Sequence, residues 1–235
     1  MNIILASTST LFGGKYLEYL KAEIISLYQN IDEIIFIPFA RPGGISHDEY
    51  TSKAKSFFAT LNIKVTGLHE FQDRKAGINQ AKGFFTGGGN TFLLVKTLHE
   101  LGLMEVLKAN IETGKPYLGC SAGSNIGGIN MKTTNDMPIV YPPSFKTLGF
   151  VPFNINPHYL DPDPNSKHMG ETRETRIKEY HVYNDKVVVG LREGSYLKVK
   201  GTQISLGGDL SARIFEKGKE PYEVSTETDI SFLMQ

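Results

Sequence analysis

The chain has 235 residues and carries 25 Lys and Arg against 25 Asp and Glu, a formal charge of zero; that balance excludes a nucleic-acid binder working by phosphate neutralisation, which needs a basic excess or stripe. Hydrophobic residues at 40% and charged residues at 21% exclude a disordered chain. The length is enough to bury a sizeable core, in one large domain or two small ones.

Short apolar runs alternate with longer amphipathic segments along the first half. Asn2–Ala6 (NIILA) reads as a buried strand, and residues 14–28 as a helix with Leu17, Leu20, Ile24 and Leu27 on one face. Residues 33–39 are the next strand. Ser46 opens a helix that runs to about Leu61, with Glu49 three residues on at the capping-box spacing. Residues 63–67, 83–86 and 116–120 are further strands, with helices over 73–81 and 90–111 between them. Strands alternating with helices imply a parallel sheet covered on both faces. Right-handed crossovers then put every strand's C-terminal end on one edge, where sites form.

After residue 130 the rhythm changes. Residues 136–168 hold Pro138, Pro142, Pro143, Pro152, Pro157, Pro162 and Pro164 and read as an ordered loop over the sheet edge. A helix is expected over 171–182. Strands at 186–192, 195–200, 202–206 and Ala212–Phe215 then come in quick succession and imply antiparallel pairs. With no internal repeat or charge block, a single domain is expected. The longest apolar stretches, such as 34–40, fall far short of the ~20 residues that span a bilayer. The first lysine is Lys15, so no basic-then-apolar leader is visible and a cytoplasmic location is expected. The single cysteine, Cys120, leaves no intrachain disulfide and no cysteine-based zinc site.

Gly119-Cys120-Ser121-Ala122-Gly123 matches G-x-S-x-G between a predicted strand and a small-residue helix at 124–128. A serine there sits on a strained strand-to-helix turn with its hydroxyl projecting from the sheet edge. The flanking glycines avoid collision with the neighbouring strand and helix. The Ala122 N–H then points to where an oxyanion would form. Cys120 is the better intrinsic nucleophile, but Leu118 and Ala122 would have to be the flanking small residues, so Cys120 reads as a buried thiol. Gly87-Gly88-Gly89-Asn90-Thr91 is a second glycine turn between strand and helix. Phe92 breaks the dinucleotide spacing, and no Lys-Ser/Thr follows as in a P-loop. Gly88 or Gly89 is read as the second oxyanion donor.

A serine nucleophile needs a base and an orienting carboxylate. Of the six histidines, His47, His69, His99, His158, His168 and His181, two (His99 and His181) lie in helical segments as surface or packing residues. His168 falls in a polar loop. His158 follows Asn156-Pro157 beside rigid prolines, which suits a fixed base. For the carboxylate, Glu193 stands at the end of the strand KVVVGLR, and Asp136 competes.

The blocks together resemble serine peptidase family S51, the family of the α-aspartyl dipeptidase peptidase E. They are Ser9-Thr10-Leu11, FIPFA at 36–40, Gly87 to Phe92, Ser121-Ala122-Gly123, Thr134 to Val140, Ile155 to His158, Gly170-Glu171-Thr172-Arg173 and Gly207-Gly208, in that order over nearly the whole chain. The resemblance implies a three-layer α/β sandwich of the class I glutamine-amidotransferase type, its central sheet mostly parallel and its C-terminal strands antiparallel. It implies a Ser-His-Glu triad on Ser121, His158 and Glu193, with Asp136 as the alternative third member. The order Ser-His-Glu differs from that of the α/β-hydrolases. Two positions depart from the family pattern: Cys120 stands where a tryptophan is usual, and Arg192-Glu193-Gly194-Ser195 where Pro-Glu-Gly-Asn is usual.

The activity implied is hydrolysis of dipeptides with N-terminal aspartate. Arg173 is the candidate grip on the aspartate side chain, because a guanidinium holds a carboxylate through two parallel hydrogen bonds. Asn90 is a further substrate contact, and Asp136 or Glu193 would accept from the substrate ammonium. No cofactor and no metal are called for, since no HExxH or histidine–carboxylate cluster occurs. The expected partner is a small peptide, with no nucleic acid and no membrane, and the expected assembly a monomer or homodimer. Rival readings are an S51-type hydrolase of β-aspartyl or cyanophycin-like substrates, an inactive amidotransferase-like binding protein and, last, a nucleotide-binding module.

Overall fold

The computed structural model describes residues 1–165, 167 and 169–234. Five strands, β1 (Asn2–Ala6), β2 (Glu33–Ile37), β3 (Lys64–Gly67), β4 (Phe84–Thr86) and β5 (Tyr117–Cys120), lie parallel in the order β3-β2-β4-β5-β1. The helices between them are α1 (Lys21–Leu27), α2 (His47–Ala59), α3 (Arg74–Gln80), α4 (Thr91–Glu100) and α5 (Met104–Glu112). After the short α6 (Ala122–Asn125) come β6 (Asn154–Pro157), α7 (Arg173–Tyr183), β7 (Val188–Leu191), β8 (Tyr196–Lys200), β9 (Gln203–Gly207), β10 (Ala212–Phe215) and β11 (Tyr222–Val224). β8 and β9 extend the central sheet antiparallel beyond β1, giving seven strands.

The alternation along β1 sorts the core. Ile4 and Ala6 face Ile24 and Leu27 of α1 and Tyr50, Ala54 and Phe58 of α2. Ile3 and Leu5 face the other way, toward Ile78, Leu94, Leu98 and Leu107 of α3 to α5. Period-2 side chains on a sheet covered on both faces leave no polar side, which is why these strands read as continuous apolar runs. The fold is thus the α/β three-layer sandwich expected. No helix among the described residues is long and apolar enough to cross a membrane.

Four expectations are corrected. The 14–28 segment is α-helical only over Lys21–Leu27, with a 3₁₀ turn at Glu18–Leu20 before it, because Leu17 takes a left-handed φ of 58°. The 90–111 helix is two helices, broken at Gly102 (φ 61°). The proline-rich loop contains a strand, β6. The late strands do not all pair locally: β7 and β10 leave the central sheet and form a second one, ordered β11-β10-β7-β6, in which β6 and β7 are parallel and the rest antiparallel. Its inner side chains Ile155, Val189, Leu191 and Ile214 join the core on the α3–α5 side, and its outer side carries α7 through Ile177, Val188 and Phe215. Ser46 caps α2 as expected: its hydroxyl accepts from the Glu49 N–H at 3.1 Å and its N–H donates to the Glu49 carboxylate at 2.7 Å.

Candidate active site

Ser121 follows β5 directly and caps α6 with φ 54° and ψ −112°. Only tight packing holds a non-glycine residue there. The packing is visible: a Cβ on Gly119 would strike the Gly123 carbonyl, and one on Gly123 would strike that of Thr86 at the end of β4. The Ser124 hydroxyl donates to Ala6 O at 2.6 Å and Gly119 O at 2.8 Å, and the Ser121 N–H to Ala6 O at 3.0 Å. The turn is therefore pinned to three strand ends.

The parallel register of β6 on β7 pairs Pro157 with Leu191. The residue after one strand, His158, and the residue two beyond the other, Glu193, therefore emerge side by side. His158 Nδ1 lies 2.6 Å from Glu193 Oε1, and Nε2 lies 2.8 Å from Ser121 Oγ. His158 itself has a positive φ of 54°. Its N–H donates to Ser7 Oγ at 2.8 Å, and that hydroxyl donates to Leu191 O at 2.8 Å. Ser7 directly follows β1 and is fully buried, so one hydroxyl ties the central sheet to the segments holding both His158 and Glu193. The imidazole has the carboxylate on one nitrogen and the hydroxyl on the other, the arrangement that lets a ring accept a serine proton while its tautomer is held.

Asp136 stands elsewhere. Its Oδ2 accepts from the Thr91 N–H at 2.7 Å and from the Thr134 hydroxyl at 3.0 Å, at the start of α4. Asn90 is the N-cap of that helix: Oδ1 accepts from the Leu93 N–H at 3.0 Å and Nδ2 donates to Met137 O at 2.9 Å. Both side chains are thus engaged in holding α4 and the 134–138 segment. Gly88 packs on Ser121, where an added Cβ would come 2.9 Å from the serine Cβ. The N–H groups of Gly88, Gly89 and Ala122 donate to no acceptor among the described residues. Arg173 is the first residue of α7, half-buried, with Thr172 as N-cap. Burial and the nearby Arg176 cation pull its guanidinium below the ordinary range, with the Asp136 charge working the other way. It pairs with no carboxylate among the described residues, whereas Arg192 and Arg213 both do.

The other described histidines are engaged elsewhere. His69 bonds Asp48 at 2.7 Å, His99 bonds Lys146 O at 2.9 Å, and His181 bonds Lys186 O at 3.0 Å. His47 packs edge-on to Phe39 and His69, and His168 lies outside the described residues. Cys120 is fully buried on the α1–α2 side of the sheet, and burial pushes its thiol far up, which leaves it unreactive. Sequence reasoning missed Ser7 and Arg192. Arg192 lies over the Tyr159 ring and joins Asp161, three residues past His158, to Glu223 of β11 through paired bonds of 2.7 to 3.0 Å. Its place directly before Glu193 and its departure from the family pattern were the available signals.

The family model of peptidase family S51 matches residues 3–207. Peptidase E of Streptomyces coelicolor is 46% identical over 234 residues, covering 100% of this chain and 95% of that protein. A Drosophila melanogaster protein named "Probable alpha-aspartyl dipeptidase" is 40% identical over 237 residues, covering 100% and 98%. The crystal structure of a peptidase from an acI-B1 actinobacterium superposes with a TM-score of 0.74 at 18% identity, over 98% of this chain and 96% of that one, a likeness of fold. On the family match and these full-length relatives, the chain belongs to peptidase family S51.

Proposed function

We propose that the protein is a serine dipeptidase that hydrolyses dipeptides with N-terminal aspartate. The observation that carries this reading is the continuous Ser121–His158–Glu193 hydrogen-bond chain, 2.8 and 2.6 Å long, built on a strained turn. His158 Nε2 takes the Ser121 proton as Oγ attacks the aspartyl carbonyl carbon. Glu193 steadies the imidazolium, and the unengaged N–H groups of Ala122 and of Gly88 or Gly89 receive the oxyanion. The imidazolium then gives its proton to the departing amine. Water, losing a proton to His158, attacks the aspartyl ester, and His158 returns that proton to Ser121 Oγ as its bond to the aspartyl carbon breaks.

The aspartate side chain is held by Arg173. A half-buried guanidinium with no carboxylate of its own is costly until a ligand supplies one. Asparagine brings no charge. Glutamate, one methylene longer, shifts the scissile carbonyl, and a displacement of about 1 Å can cost about a hundredfold. The name of the Drosophila melanogaster relative, "Probable alpha-aspartyl dipeptidase", supports the same substrate class.

The test is a panel of Asp-Leu, Asn-Leu, Glu-Leu and β-aspartyl-Leu. The wild type should cleave Asp-Leu. Ser121→Ala should lower kcat/KM by at least about a thousandfold, and near-normal activity in that variant would defeat the proposal. Arg173→Met should stay folded and lose the preference for Asp-Leu over Asn-Leu. An unchanged preference would remove Arg173 from this role.

A further inference from the structure

A buried tyrosine stands behind the glycine loop. Tyr50 of α2 is 1% exposed, and its hydroxyl donates to the Gly88 carbonyl at 3.2 Å. Phe36 meets its ring edge-on at 4.9 Å between centroids, and the Arg41 guanidinium lies 4.7 Å over its face. Burial pushes the phenol up while Arg41 pulls the other way, so the group stays protonated and remains a donor. A Cβ on Gly87 would run into the hydroxyl, so the loop rests directly on it.

The loop's ends are tied to the last residue of β2 and to the chain just after it: the Gly87 N–H donates to Ile37 O at 3.3 Å and the Asn90 N–H to Ala40 O at 2.7 Å. Between those ties lies the peptide unit joining Gly88 to Gly89, flanked by residues without side chains. Rotation of such a unit meets little steric resistance. Its carbonyl and N–H point in opposite directions because the peptide is planar and trans. One orientation offers an N–H to an oxyanion, and the other offers a carbonyl lone pair, which would repel it. Among the described residues, the Tyr50 hydroxyl is the group that bonds this carbonyl.

We propose that Tyr50 is a positioning residue for the oxyanion site: it holds the Gly88 carbonyl on the α2 side and so keeps the Gly89 N–H turned toward Ser121. The inference rests on the reading of Ser121 as nucleophile. Tyr50→Phe removes the hydroxyl alone. Tyr28→Phe is the matched control, since the buried Tyr28 hydroxyl donates to Phe84 O at 2.6 Å within the same layer. Two rates are measured on the whole chain: turnover of Asp-Leu, and phosphonylation of Ser121 by a fluorophosphonate, followed by mass. Tyr50→Phe should lower kcat and slow labelling about tenfold each, less than the hundredfold or more for removing an oxyanion donor outright, with KM for Asp-Leu unchanged. Tyr28→Phe should label and turn over like the wild type, whatever it does to melting. Equal labelling in wild type and Tyr50→Phe, or equal slowing in both tyrosine variants, overturns the proposal. A wild type that labels but leaves Asp-Leu intact overturns the substrate reading alone, and the labelling comparison still decides Tyr50. A wild type that does not label removes the nucleophile and this inference with it.

Discussion

At Ser121 the backbone bears the cost of the turn that brings its hydroxyl to His158. A non-glycine residue at φ 54° and ψ −112° carries roughly 1–3 kcal/mol of strain. Alanine at this position keeps the strain, since the Cβ causes it, and glycine relieves it. Ser121→Gly should therefore melt above Ser121→Ala, by about 2–4 °C per kcal/mol of strain relieved, with both variants inactive. Thermal melts of the pair check this, and a glycine variant melting below alanine would mean the turn is unstrained. The motif was legible at this scale because G-x-S-x-G is a local steric pattern: the colliding atoms lie within two residues of the serine or on the next strand. Ser7 and Tyr50 were not legible. Their partners, the His158 N–H and the Gly88 carbonyl, lie 151 and 38 residues away.

At the scale of the element, one strand register and one helix start divide the acidic residues between two tasks. Glu193 reaches His158 because β6 and β7 run parallel with Pro157 opposite Leu191. Asp136 lies at the N-terminus of α4, where a carboxylate meets both an unpaired N–H and the positive end of the helix dipole. Asp136→Asn should cost about 1 kcal/mol, a drop of about 2–4 °C in Tm, while Ser121 still labels. Glu193→Gln should leave Tm nearly unchanged, since that carboxylate is half-exposed, and cut kcat far more. Melts and Asp-Leu kinetics on both variants decide, and the opposite pattern would make Asp136 the third member of the triad. β6 escaped the sequence reading because Asn-Ile-Asn-Pro has too few apolar residues for a strand pattern and ends on a residue with no N–H to pair. Its partner strand, by contrast, is a run of Val and Leu and was expected.

Over the whole molecule, the Ser121–His158–Glu193 hydrogen-bond chain straddles two sheets, with Ser121 on the central one and His158 and Glu193 on the second. Arg192 braces the second: it is 14% exposed and grips Asp161 beside His158 and Glu223 of β11. Arg192, Ser211 and Arg213 together hold the Glu223 carboxyl down at about 2, and Arg192 lowers Asp161 likewise. A carboxylate depressed on folding adds stability that is present above its unfolded pKa, near 4.5 for glutamate, and lost as pH falls through the folded value. Arg192→Met should thus melt below the wild type at pH 7, with the gap narrowing between pH 5 and pH 2. Melts across that range test it, and a constant gap would assign the loss to packing over Tyr159 instead.

The residues alone decided the layers and the Ser121 turn. Short apolar runs, helix caps and glycine spacing act over a few neighbours, so NIILA, the Ser46–Glu49 box and Gly119 to Gly123 carry their structure with them. The partition of the late strands into two sheets was settled only in three dimensions, as was the choice of carboxylate facing His158. Sheet membership depends on which distant edge is free to pair, and a carboxylate's role depends on which N–H or imidazole the fold brings to it. Neither is written within reach of a local window.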